Sequence, residues 1–66
     1  MTLREKAKGV VTSGDGTYRI GFVNNEGRED ETELDAFNLQ ELQEVYSEFC
    51  KENNFKQNTV LYVERV

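Results

Sequence analysis

Along this chain, apolar residues recur with two different periods. From Thr17 to Val23 they alternate, with Tyr18, Ile20 and Phe22 on one side and Arg19, Gly21 and Val23 on the other, as in a strand buried on one face. From Leu39 to Asn53 the period is helical. At 100° per residue, Leu39, Leu42, Val45, Tyr46, Phe49, Cys50 and Asn53 fall within roughly 140°, while Glu41, Glu44, Glu48 and Glu52 fall within roughly 80° on the far side. Asn38 is placed to cap this helix, Glu41 completes a capping box, and Phe37 and Leu42 occupy the two positions of a hydrophobic staple. A stop is expected at Asn53-Asn54, because Asn tolerates the left-handed conformation and Phe55 can fold back near Cys50.

The remaining segments follow from turn residues and β propensity. Ser13-Gly14-Asp15-Gly16 separates Val10-Val11-Thr12 from the strand at 17–23, which predicts a hairpin, and Asn24-Asn25-Glu26-Gly27 predicts a second turn. Residues 28–34 are poor in strand formers but rich in acids, and are read as a charged edge strand. Residues 59–66 form a β-branched and aromatic run without a breaker, a final strand. The start of the chain has two readings. Thr2 and Glu5 form a capping box for a helical turn, whereas hairpin pairing draws residues 5–12 into a strand, and the strand is preferred. The expected order is β-β-β-α-β: an α+β two-layer sandwich, a single domain over 1–66, with the helix at about 39–53 on one face of a small, mainly antiparallel sheet. After the helical crossover, the last strand is expected to lie parallel to the first.

One helix covers one face of such a sheet, and a chain of 66 residues has a thin core. A single Cys rules out an intramolecular disulfide, and the lack of His makes a structural zinc site implausible, which leaves self-association as the expected support. The candidate self-association residues are Arg19, Val23, Leu61 and Val63, on the uncovered face or a free edge.

Charge changes the picture. The net charge of −5 is uneven: residues 1–24 carry four basic and two acidic side chains, residues 25–53 two and ten, and residues 54–66 two and one. This acidity argues against nucleic acid or anionic lipid as a partner and favours a basic protein. The N-terminus lacks the apolar run of a signal peptide, no stretch reaches the ~20 apolar residues of a membrane span, and a lone Cys suits a reducing compartment, so a cytoplasmic location is expected.

Candidate chemistry is sparse. Without His, catalysis near neutral pH would need a perturbed carboxylate, Lys, Tyr or Cys. Cys50 reads as a small core residue. Gly14-Asp15-Gly16-Thr17 is followed by a strand and lacks the third Gly of a dinucleotide loop, and an EF-hand register would put Val11 and Phe22 at ligating positions. The acids at 26–35 have no metal-loop spacing, and Tyr18, Phe22 and Tyr62 read as core rather than as a stacking platform. No catalytic residue, cofactor or metal is expected. The leading reading is a non-catalytic homodimeric module that binds another protein through Glu41, Glu44, Glu48 and Glu52. The alternatives are an acidic inhibitor that mimics nucleic acid, using these residues with the 26–35 run, and a small-ligand binder with a pocket lined by Tyr46, Phe49 and Tyr62.

Overall fold

The computed structural model describes residues 3–11, 14–56 and 59–66. In chain order the elements are α1 (Leu3–Ala7), β1 (Gly16–Val23), β2 (Glu29–Ala36), α2 (Leu39–Asn53) and β3 (Val60–Arg65). The strands form one sheet in the order β2-β1-β3, with β1 antiparallel to both neighbours. β2 and β3 therefore run parallel to each other on either side of β1, and α2 is the crossover that joins them. The domain is α+β, and the helices pack on one face of the sheet.

The alternation of β1 sets this layering. Tyr18, Ile20 and Phe22 are buried with Ala36, Leu42, Tyr46, Cys50, Val60 and Val63. Phe22 lies at the centre of an aromatic group, with ring centroids 5.0 Å from Phe55 and 5.5 Å from Phe49. Both ends of α2 follow local chemistry. Asn38 Oδ1 accepts the Glu41 N–H at 2.8 Å, and Glu41 Oε1 accepts the N–H of Phe37 at 2.9 Å. Phe37 itself stays 49% exposed, so the staple expected with Leu42 leaves much of its ring in solvent. At the far end Asn54 takes φ 59, Phe55 N–H donates to the Cys50 carbonyl at 2.9 Å, and the Phe55 ring lies 5.6 Å from that of Phe49. Asn25 Nδ2 donates to the Asn53 carbonyl at 3.1 Å, which ties the β1–β2 turn to this helix end.

The N-terminal segment differs from expectation. Residues Leu3–Ala7 are helical, and among the described residues the sheet has three strands rather than four and the element order is α-β-β-α-β. Leu3 and Ala7, four residues apart, share one helix face and are 5% and 1% exposed. The place beside β1 that an N-terminal strand would take is occupied by β3; the expected parallel partner at residues 5–12 does not form a strand, and β3 instead pairs antiparallel with β1. α1 lies against β3 while α2 lies against β2, so two helices share the covered face. Thr2 of the expected capping box, and Thr12 and Ser13 of the first expected turn, lie outside the described residues.

A bulge resolves the alternation of the last strand. Gly21 pairs with Tyr62 and Phe22 with Val60, which leaves Leu61 as the extra residue. Val60 and Val63 thereby face the core although they are three residues apart, while Tyr62 and Glu64 face the other way.

The cap at Asn38 is testable. Asn38→Ala should cost about 1 kcal/mol of stability in urea unfolding. The m-value should not change, because no core surface is altered.

Candidate docking surface on the open sheet face

The face of the sheet opposite the helices is built from the outward half of each strand's alternation. β1 contributes Thr17, Arg19, Gly21 and Val23. The antiparallel register sets Asp35, Glu33, Glu31 and Glu29 opposite them in that order. β3 adds Tyr62 opposite Gly21 and Glu64 opposite Arg19. In β2 the residues that keep the strand in place are on the other side, with Thr32 and Leu34 half-buried and Ala36 buried. The segment poor in strand formers is thus a strand because Thr32, Leu34 and Ala36 alternate with its acids.

Arg19 organises this face. Its Nη2 lies 3.0 Å from Glu33 Oε2, its Nη1 3.8 Å from Glu64 Oε2 and its Nε 4.0 Å from Glu31 Oε1. The hydrogen bond to Glu33, reinforced by the charge of Glu31, raises the guanidinium pKa above its ordinary value. Tyr62 donates its hydroxyl to Glu31 Oε2 at 2.8 Å, and Thr17 Oγ1 donates to Asp35 Oδ1 at 2.6 Å. The Tyr62 ring lies over Gly21, where a Cβ would overlap it, so this pairing requires glycine at 21. Five carboxylates, those of Glu29, Glu31, Glu33, Asp35 and Glu64, thus share one face with a single guanidinium among the described residues.

The four residues expected for self-association are split. Arg19 and Val23 belong to the open face, Leu61 is the bulge residue, and Val63 is 6% exposed in the core. Val63 therefore departs from the expected uncovered face, and that face is charged rather than apolar. Glu41, Glu44, Glu48 and Glu52 are exposed on α2, opposite the buried Leu42, Tyr46 and Cys50. The sandwich sets this stripe and the acids of β2 on its two outer sides, so they do not combine into one surface. The expected ligand pocket is also not formed, since Tyr46 and Phe49 pack with Phe22 while Tyr62 is on the opposite face. The same division separates Tyr62 from the buried Tyr18 and Phe22 and removes the stacking platform.

At one end of the strands lies an open depression of about 400 Å³, lined by Asp15, Gly16, Thr17, Asp35, Ala36 and Glu41. Among the described residues no three His, Cys, Asp or Glu side chains converge to hold a metal ion. Cys50 is a buried free thiol, and burial raises its pKa. No described helix is long and apolar enough to cross a membrane. In comparisons with known proteins, no family model, no curated protein and no solved structure matches the chain.

Two outcomes follow. Arg19→Gln removes the cation that offsets the five carboxylates, so Tm should fall at low salt, and the difference from wild type should shrink as salt approaches 1 M, where the Debye length is about 3 Å. Stability should also fall in alkali. Burial holds the Tyr46 phenol above its ordinary 10.0 and the Cys50 thiol above its ordinary 9.0, and the bond to Glu31 raises Tyr62 as well. The folded chain keeps these protons while the unfolded chain releases them, so their contribution is complete below about pH 9 and is lost as pH rises beyond it. A pH series of melting curves checks this.

Proposed function

We propose that this domain is a non-catalytic interaction module that receives a basic surface of another protein on the open face of its sheet. The observation that carries this reading is the charge of that face: five carboxylates and one arginine held in register on paired strands. Like charges on adjacent positions of a sheet oppose folding. Arg19 offsets only part of that repulsion, so a cationic partner gains what the isolated domain lacks. Complementary charge of this kind steers encounter and sets orientation.

Charge density separates this reading from nucleic-acid mimicry. Alternate residues of a strand are about 6.7 Å apart, so the row from Glu29 to Asp35 spans about 20 Å. Duplex DNA carries about 12 phosphates over that length. The open face, with Arg19 counted against its five acids, has a net charge of −4. The stripe on α2 adds nothing, since it points away. The density suits a patch of a few Lys or Arg side chains rather than a groove built for phosphates. A free, buried Cys50 is compatible with a cytoplasmic location.

The helix stripe, where docking was expected from the sequence, serves as the internal control. Calorimetric titration with a Lys/Arg-rich peptide should show binding that weakens with salt. Glu31→Lys combined with Glu33→Lys should weaken it at least about tenfold, while Glu44→Lys combined with Glu48→Lys, the same change in net charge, should leave it within about twofold. Equal losses from both pairs, or a larger loss from the helix pair, would overturn the assignment to the sheet face.

A further inference from the structure

The two outer edges of the sheet differ in a way that the docking reading does not use. β2 bears Glu29, Asp30, Glu31, Glu33 and Asp35, and this charge guards its edge against a second strand. β3, of sequence Val-Leu-Tyr-Val-Glu-Arg, has β1 on one side and no strand on the other among the described residues. Its backbone groups on that side are a template for another strand, and only Glu64 and Arg65, of opposite sign, carry charge there. Val66, which continues beside β1 through its N–H to the Thr17 carbonyl at 2.9 Å, is 60% exposed at the end of this edge.

We propose that β3 pairs antiparallel with β3 of a second copy of this chain, around a two-fold axis at Val63, to give a six-stranded sheet. A two-fold axis perpendicular to the sheet preserves its faces, so residues that meet across it must share a face. Beyond the bulge, Tyr62 and Glu64 face outward and Val63 faces the core. An axis at Glu64 would set two Glu64 carboxylates against each other, and an axis at Tyr62 would run the pairing into the bulge at Leu61. An axis at Val63 keeps like carboxylates from direct opposition and leaves three paired rows clear of the bulge: Val63 meets Val63, and Tyr62 of each protomer meets Glu64 of its partner, the pairing ending where each copy reaches Leu61.

Charge selects the same arrangement. In the order β2-β1-β3-β3-β1-β2 the two acidic strands are five strand spacings apart, about 24 Å, well beyond the Debye length of about 8 Å at physiological salt. Pairing through β2 would bring ten carboxylates together. The paired sheet keeps both acidic faces on one side, with the carboxylates of β2 clear of the interface, and all helices on the other.

This inference is independent of the docking reading, and its test keeps the two apart. Light scattering on the full chain across a concentration series should give twice 7.7 kDa at high concentration and approach 7.7 kDa on dilution. Leu61→Lys, checked for its fold by circular dichroism, should lower the dimer fraction at least about tenfold in association constant, whereas Glu31→Lys combined with Glu33→Lys should leave the mass unchanged. Tyr62→Cys combined with Glu64→Cys should form interchain disulfides under mild oxidation, and either single change should not. A monomer at every concentration would overturn the proposal. So would a dimer that ignores Leu61→Lys or one whose single-cysteine variants cross-link as well as the double variant.

Discussion

β1 has a strand on each side, so its side chains must be covered on one face and answered on the other. Tyr18, Ile20 and Phe22 demand cover, and α2 and α1 supply it with Leu42, Tyr46, Cys50, Leu3 and Ala7. Arg19 and Gly21 demand something different. Arg19 draws Glu33, Glu31 and Glu64 around its guanidinium, and Gly21 leaves the space into which the Tyr62 ring settles. The strand on which the core is built is also the strand that organises the exposed face. A change at Arg19 or Gly21 therefore alters the outer surface without opening the core.

The open face carries a tension that bears on function. Its carboxylates are exposed and well solvated, so each contact to Arg19 is individually weak. Their mutual repulsion is longer in range and, among the described residues, is met on this face by Arg19. A protein that needed this surface only for solubility would do as well with mixed charge. One sign on a flat, paired surface is what the proposed reading offers to a cationic partner, and the same acids charge the edge of β2 while β3 carries few charges.

Much of the domain was legible in the chain. The Asn38–Glu41 cap, the span of α2, the stop at Asn54 and the turn before β2 are set by residues within a few positions of each other, and local chemistry is visible locally. β2 was harder to read, since its five acids obscured the alternation of Thr32, Leu34 and Ala36 that holds it in place. The N-terminal segment was misread as a strand because a hairpin with Thr17–Val23 competed with the Leu3–Ala7 helix spacing. That competition is decided by which segment pairs with β1, a question no local pattern answers.

What the sequence determined by itself was the set of elements from β1 to β3 and the two-sidedness of β1 and α2, because hydrophobic period and capping act over a few residues. The tertiary structure decided three matters that depend on residues far apart in the chain. β3 took the edge of β1, so the first residues became a helix over the core. The bulge at Leu61 turned both Val60 and Val63 inward and Tyr62 outward, which dissolved the expected ligand pocket and removed Val63 from the surface. The register of β2 on β1 gathered Glu29, Glu31, Glu33 and Asp35 on the face that carries Arg19 and away from the helix stripe, because a sheet sorts side chains to faces only once its strands are paired.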